Sequence, residues 1–193
     1  NIVLFNDTAR TIPSELSEKV FVSTDDDLIK DKALKFNFNV IDRPAEYSRD
    51  ESSMKDVLTH FVKLQKVSEN TNIILLYLTY PERTWQDIAE IYSWYIRNEC
   101  VSLLCSVEVE HHPYLTMIET GEFTGRPLIE HSFYRRQDYP KCFCVSCYVS
   151  IVKAFEVERI NDLLYNFNTK FYKLKNEKVD VDYEEDYLKC QIK

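Results

Sequence analysis

The stretch from Asn72 to Asp87 constrains the fold more than any other part of the chain. It opens with an unbroken apolar run, Ile73 to Leu76. Such a run predicts a strand buried on both faces, as parallel strands are when helices cover the sheet. A proline then ends the strand, and Thr84 followed three residues later by Asp87 is the pattern of a helix N-terminal capping box. Ligands of open α/β sheets bind at the carboxyl ends of strands, so residues 78–83 are the first candidate site.

Apolar runs and stretches of helical periodicity alternate along the chain, which predicts a largely parallel, three-layer α/β sheet. At 193 residues, with two glycines and no linker, the chain fits a single domain, 1–193. The predicted strands are 19–23, 38–41, 73–76, 100–107, 143–152, 171–174 and 179–182. The predicted helices are 2–14, 28–34, 57–64, 88–96 and 160–167, with a last helix around Leu188.

Short polar side chains stand where several of these helices begin. Asp25 or Asp26 precedes one helical pattern, and Ser52 or Ser53 precedes another. Such side chains accept hydrogen bonds from the free amides of the first helical turn, so we expect them to be caps.

The pattern changes after Glu108. Turn residues and polar residues dominate 109–140, and residues 115–129 predict a hairpin or arm that leaves the main sheet. The chain then returns to the sheet as the strand that begins near Phe143.

Charge and hydropathy exclude some functions. A net charge of −8 argues against general binding to nucleic acid or to anionic membranes. No segment reaches the ~20 apolar residues of a membrane-spanning helix, and no secretory signal opens the chain, so a cytoplasmic location is expected. Because Asn1 is not a methionine, we expect a segment to have preceded it.

Three of the six cysteines lie in the segment Cys142–Cys147. One interpretation is a metal cluster completed by His111, His112 or His131. The spacing differs from the paired C-x-x-C of zinc sites, however, and free cysteine is commonly buried as a small apolar residue. Reduced thiols without metal are therefore expected.

Asp180 and Asp182 are two residues apart in a segment that should be extended, so both carboxylates should point to one side. Two such oxygen ligands suit Mg²⁺ that also binds substrate phosphates; the alternative is a solvated acidic strand end. The arginines near predicted strand ends could bind phosphate or carboxylate, or could form surface ion pairs of little consequence. They are Arg43, Arg83, Arg135 and Arg136.

Six motifs occur together and in order: V-S-T-D-D (22–26), R-P-A-E (43–46), D-E-S-S (50–53), H-H-P-Y (111–114), R-R-Q-D (135–138) and V-D-V-D (179–182). Their order and spacing resemble the acylneuraminate cytidylyltransferases, also called CMP-sialic acid synthetases. The resemblance spans the whole chain.

This resemblance implies a nucleotide-diphospho-sugar transferase-like fold, a homodimer built by the arm at 109–140, and transfer of CMP from CTP to a nonulosonic acid with release of pyrophosphate. By resemblance, the nucleotide would be bound by Arg43, Ser52 and Ser53, and Mg²⁺ by Asp180 and Asp182. Arg136 would be catalytic, and the sugar would be contacted by Tyr77, Arg83, Arg135, Gln137 and Asp138.

The chain also departs from the family's pattern. The family opens with a strand and an A-R-x-G-S-K phosphate loop, and Asn1 aligns just after that loop. In the family's L-Q-P-T-S-P-L-R loop, the glutamine that contacts the sugar is Tyr77 here, and Ser146-Cys147 replaces an N-G-A element. A non-catalytic relative that serves as a dimeric binding or scaffold module is therefore the alternative, as is transfer to another sugar acid such as Kdo.

Overall fold

A four-stranded sheet in the order β3-β7-β4-β8 forms the centre of the fold in the computed structural model. The structure describes residues 2–49, 51–176 and 178–191. The helices are α1 (Ile2–Thr11), α2 (Asp27–Lys35), α3 (Met54–Leu64), α4 (Trp85–Arg97) and α5 (Glu184–Gln191). The strands are β1 (Phe21–Thr24), β2 (Asn39–Asp42), β3 (Asn72–Leu75), β4 (Ser102–Glu108), β5 (Met117–Gly121), β6 (Thr124–Pro127), β7 (Phe143–Lys153) and β8 (Thr169–Lys173).

The central sheet is mixed, which corrects the expectation of a largely parallel one. Strand β7 runs antiparallel to both β3 and β4, whereas β4 and β8 are parallel. The reason lies in the connection between β4 and β7. The chain leaves β4 at Glu108, makes the arm and re-enters opposite it at Phe143. A return to the same edge of a sheet produces an antiparallel neighbour, whereas a parallel one needs a crossover.

Strands β1 and β2 form a separate parallel pair, connected by α2. This βαβ unit agrees with the sequence prediction. Its apolar residues pack with α1 in a core of their own, made of Phe5, Ala9, Ile29, Ala33 and Phe38.

Strand β3 differs from its sequence expectation. All four of its residues are half-buried rather than fully buried. The reason is its position: β3 is an edge strand of the central sheet and is paired only with β7 within the described residues.

The two faces of the central sheet are covered by different elements, so the predicted three layers are present. On one face Ile88 and Ile91 of α4 pack against Leu103. On the other face Leu58 of α3 packs against Leu104. Adjacent residues of β4 thus point to opposite layers, as the pleat of a strand requires.

The capping predictions are confirmed. The Asp26 carboxylate accepts from the amides of Leu28 and Ile29 at 2.8 and 3.3 Å. Thr84 and Asp87 form the reciprocal capping box at the start of α4.

The helix predicted at 160–167 is absent, and turns take its place. The side chain of Asn161 accepts from the amides of Leu163 and Tyr165, both at 3.0 Å. Leu164 has a φ of 65°. An Asn side chain that bonds to nearby amides offers the backbone an alternative to helical hydrogen bonds, and here that alternative is the one formed.

Two further predictions concern the arm and the end of the chain. Strands β5 and β6 form the antiparallel hairpin expected within the arm. Residues 179–182 are irregular rather than a strand. None of the helices in the described ranges has both the length and the apolar character needed to cross a bilayer.

Candidate active site

The loops that follow β3 and β4 lie along one edge of the central sheet. Strands β3 and β4 are both antiparallel to β7, so they end at the same edge. Leu78, just beyond β3, packs into the apolar cluster that includes Val22 of β1 and Val40 of β2. The loop that follows β3 therefore packs against the unit formed by β1, α2 and β2.

The segment after β8 crosses this same edge. Leu174 donates its amide hydrogen to the Ser106 carbonyl at 2.8 Å, and Val181 donates to the Thr79 carbonyl at 2.8 Å. Leu174 is therefore attached to β4 near its carboxyl end, and Val181 is attached to the loop that follows the outer strand β3. Asp180 and Asp182 are thereby brought to the loop that the sequence singled out.

Arg43 joins the ends of β1 and β2. Its amide donates to the Thr24 carbonyl at 3.1 Å, and its Nε donates to the Ser23 hydroxyl at 3.3 Å. Its Nη2 also donates to the Ser23 carbonyl. The half-buried guanidinium is therefore held at the strand ends, with its remaining N–H groups available to a ligand.

Ser52 lines an open concavity of about 470 Å³, and Ser53 follows it at the start of α3. The Ser52 hydroxyl donates to the Glu46 carbonyl at 2.9 Å. Ser53 caps α3 and accepts from the Asp56 amide at 3.2 Å. The lining residues are Glu46, Tyr47, Arg49, Glu51, Ser52 and Asp56, so three carboxylates and one arginine set the charge of this concavity. Asp50, part of the same motif, lies outside the described residues.

Arg83 does not face the site, which corrects the expectation that it contacts a sugar. Its side chain is only 1% exposed. It donates from Nε to the Tyr148 carbonyl at 2.7 Å and from Nη2 to the Tyr77 carbonyl at 2.8 Å. The rings of Tyr80 and Tyr148 lie 5.5 and 5.4 Å from its guanidinium carbon, as in cation–π contacts. Burial lowers the pKa of Arg83 to about 10, so the group is still cationic at neutral pH.

Tyr77 is half-buried and packs against both core clusters of the central sheet. Burial raises the pKa of its hydroxyl, and the neighbouring Cys147 thiol adds to the increase. Tyr77 therefore contributes to the packing between the loop and the central sheet.

The two aspartates keep the alternation that the sequence predicts, although the segment is not a strand. Val181 is buried, at 7% exposure, and both Asp180 and Asp182 are exposed. The Tyr80 hydroxyl donates to Asp180 Oδ2 at 2.9 Å. Burial raises the pKa of Tyr80, and its hydrogen bond to Asp180 adds to the increase, so the hydroxyl remains a donor.

The R-R-Q-D motif forms an exposed turn at the end of the arm. Arg135 and Asp138 make a two-point ion pair at 2.8 and 2.9 Å. These two predicted sugar ligands are therefore paired with each other. Arg136 and Gln137 are exposed, and among the described residues no ion pair involves Arg136.

His112 of the arm packs against Cys142, and the described part of the chain holds no group of three or more histidine, cysteine or acidic side chains placed to bind a metal. His112 Nε2 lies 2.9 Å from the Pro140 carbonyl oxygen and 3.3 Å from Cys142 Sγ. Its ring also contacts Tyr114 and Tyr139. All six cysteines are free thiols.

Sequence reasoning did not single out Tyr80 or Lys178. Lys178 lies 3.8 Å from the Asp87 carboxylate and over the Tyr148 ring. Tyr80 could have been found, because it stands within the predicted ligand loop, residues 78–83. Nothing local in the sequence relates it to Asp180, a hundred positions away.

No protein-family model matches the chain. Curated proteins named N-acylneuraminate cytidylyltransferase, from Streptococcus agalactiae serotypes V and III, are each 25% identical to it over 189 residues. The match covers 96% of this chain and 45% of each relative. The chain therefore spans about half the length of the curated relatives that it matches.

Two solved structures share the fold. One is a CMP:2-keto-3-deoxy-manno-octonic acid synthetase in complex with CTP, with a TM-score of 0.59, 12% identity and coverage of 98% of this chain and 88% of that one. The other is a 4-diphosphocytidyl-2C-methyl-D-erythritol synthase, with a TM-score of 0.62, 12% identity and coverage of 98% and 89%. The motif resemblance is thereby confirmed: along nearly its whole length this chain is a homologue of curated N-acylneuraminate cytidylyltransferases.

Proposed function

We propose that this chain is part of a cytidylyltransferase that joins CTP to a nonulosonic (sialic-acid-like) sugar acid. The observation that carries the proposal is the attachment of residues 180–182 to the loop after β3. It holds a pair of carboxylates at the loop after β3, the predicted ligand loop, in a homologue of named cytidylyltransferases, and the proposal adds Arg43 at the ends of β1 and β2 as their partner at the nucleotide.

Mg²⁺ fits the residues present. Asp180 uses Oδ2 to accept from Tyr80, which leaves Oδ1 and the exposed Asp182 carboxylate for a cation. Two carboxylates are enough, because protein-bound Mg²⁺ keeps several waters and takes further ligands from substrate phosphates. When bound, the ion would neutralise charge on the triphosphate.

The remaining chemistry falls to the chain and its substrates. A hydroxyl oxygen of the sugar attacks the α-phosphorus of CTP, the bond from that phosphorus to the β-phosphate oxygen breaks, and pyrophosphate leaves. The hydroxyl proton passes to solvent or to a nearby base. Arg43 would stabilise negative charge on the phosphoryl oxygens, and catalysis would come mainly from positioning and electrostatics.

On this proposal Ser52 and Ser53 would support the nucleotide, and Arg136 with Gln137 would bind the sugar carboxylate, contributed in part across a homodimer. The arm is suited to self-association because its apolar side chains are exposed: Leu115, Met117, Phe123, Leu128, Ile129 and Phe133. Arg135 and Asp138 would shape the turn through their ion pair.

A specific observation favours the alternative, a non-catalytic binding or scaffold module. Glu46, Glu51 and Asp56 line the concavity beside Ser52, and their charge opposes a triphosphate there. A scaffold would keep the dimer arm and bind no CTP.

Pyrophosphate release separates the two functions. The full-length protein is incubated with CTP, Mg²⁺ and a nonulosonic acid. We expect release to require all three and to fall by about 100-fold or more in Asp182→Ala, since one charge-stabilising group is removed. Asp162→Ala, an exposed aspartate in the 161–165 turn, is the matched control. A chain that dimerises but neither binds CTP nor releases pyrophosphate would be the scaffold.

A further inference from the structure

We infer that Tyr80 is a positioning residue for Asp180, holding one carboxylate oxygen so that the other faces the cation and the nucleotide phosphates. The inference rests on the proposed function and adds to it a residue that none of the motifs contains. The contact that carries it is the hydrogen bond from the Tyr80 hydroxyl to Asp180 Oδ2 at 2.9 Å.

The Tyr80 hydroxyl can orient another group because its own position is set by the core. The side chain is 4% exposed. Its ring packs edge-on against Tyr148 with centroids 5.5 Å apart and an interplanar angle of 87°. The buried Arg83 guanidinium lies 5.5 Å from the ring centroid. A hydroxyl on a ring fixed from two sides has little freedom to follow the carboxylate.

The position of Asp180, in contrast, depends mainly on its contacts with the loop after β3. The segment around it is irregular and has no strand partner in the described structure. The adjacent amide, that of Val181, donates to the Thr79 carbonyl at 2.8 Å. Thr79 thus holds the backbone beside Asp180, and Tyr80 holds the Asp180 side chain. Residues that support metal ligands commonly act in this way.

The chemistry of the donor also matters. A neutral hydroxyl orients the Asp180 carboxylate through a hydrogen bond and does not form an ion pair with it. Lys178, two residues before Asp180 in the sequence, lies 3.8 Å from the Asp87 carboxylate and over the Tyr148 ring. The arrangement therefore separates the structural ion pair from the carboxylate that would bind metal.

The test measures Mn²⁺ affinity in the presence of CTP, by electron paramagnetic resonance of free Mn²⁺, for the wild-type protein and Tyr80→Phe. We expect Tyr80→Phe to bind Mn²⁺ roughly 10-fold more weakly, the lower end of the range for lost supporting hydrogen bonds. The matched control is Tyr95→Phe. Tyr95 is 1% exposed and loses an equivalent bond, from its hydroxyl to Asn72 Oδ1 at 3.1 Å, away from Asp180.

A double-mutant cycle distinguishes positioning from a general loss of structure. In an Asp180→Ala background, Tyr80→Phe should change Mn²⁺ affinity by less than about twofold, because the group it positions is gone. Equal affinity of Tyr80→Phe and wild type would overturn the inference while the proposed function stands. A 10-fold loss that persists without Asp180 would overturn it as well. If the wild type binds no Mn²⁺ with CTP, the proposed metal site fails and the inference fails with it.

Discussion

Arg83 donates a hydrogen bond from Nε to the Tyr148 carbonyl at 2.7 Å, inside the core and not in the crevice. An arginine that the family resemblance placed at the substrate thus connects the loop after β3 to the central strand β7. Its second bond, to the Tyr77 carbonyl, closes the loop upon itself. The shape of the candidate site therefore depends on a charged group that is buried in the core.

Replacement of Arg83 by methionine should destabilise the fold by about 2–4 kcal/mol, because two buried carbonyl groups lose their donors. Chemical denaturation measures the change. Arg97→Met is the control: Arg97 lies on the outer side of α4, and a change of under about 0.5 kcal/mol is expected there. Equal stability of Arg83→Met and wild type would show that these two bonds do not hold the loop.

Asp26 and its neighbour Asp25 offer a matched pair for helix capping. Asp26 accepts two amide hydrogen bonds at the start of α2, so Asp26→Ala should cost about 1 kcal/mol of unfolding free energy. Asp25→Ala, which keeps the cap, should cost no more than a few tenths. Thermal and urea unfolding of the two variants compare them. Equal losses would mean that net charge near the helix, and not the cap, stabilises α2.

Arg136→Ala should raise KM for the sugar acid more than KM for CTP, because the proposal places this exposed guanidinium at the sugar carboxylate. A loss of about 10-fold or more in kcat/KM for the sugar is expected for a charge-assisted hydrogen bond. Arg126→Ala, on β6 of the same arm, controls for a general loss of positive charge. Equal effects on both substrates would contradict the placement of Arg136.

Leu128→Glu should convert a dimer into a monomer in sedimentation velocity experiments. Leu128 is 47% exposed on the arm, where apolar side chains cluster, and a buried unpaired carboxylate would strongly disfavour an interface. Leu64→Glu, at a position 53% exposed at the end of α3, should leave the oligomeric state unchanged. A wild-type chain that is monomeric at micromolar concentrations would remove the dimer from the proposal.

Glu156 should make the fold sensitive to acid. Burial by itself would raise the pKa of its carboxyl, but hydrogen bonds from Asn166, Asn168 and Arg159 lower it below the ordinary value. A folded-state pKa below the unfolded one gives stability that is present above the unfolded value, near pH 4.3, and is lost as pH falls through the folded value.

Glu156→Gln should therefore be less stable than wild type at pH 7, with a difference that shrinks towards pH 3. Urea midpoints between pH 3 and pH 7 measure this. Glu158→Gln is the control, since Glu158 is exposed in the same turn. A constant difference at every pH would show that the carboxylate charge is not responsible.

The local elements were largely predictable from sequence because their signals are local. Spacing of apolar residues located α1 to α4, and the Thr84–Asp87 pattern predicted a capping box that the structure contains. The one helix predicted wrongly, at 160–167, fails for a reason that is also local: Asn161 bonds to amides of its own turn. The motif pattern likewise predicted the homologues, because the order and spacing of motifs are properties of the sequence alone.

The sequence by itself thus determined helices α1 to α5, the βαβ start, the arm and the family resemblance, although it also predicted a helix at 160–167 that is absent. Only the tertiary structure decided that the sheet is mixed, that Arg83 points into the core, and that Tyr80 meets Asp180. The physical reason is the separation along the chain of the residues that interact. Capping and periodicity depend on neighbours a few residues away, whereas strand direction and side-chain burial depend on which distant segments pack together. A pair a hundred residues apart, such as Tyr80 and Asp180, is joined only once the chain has folded.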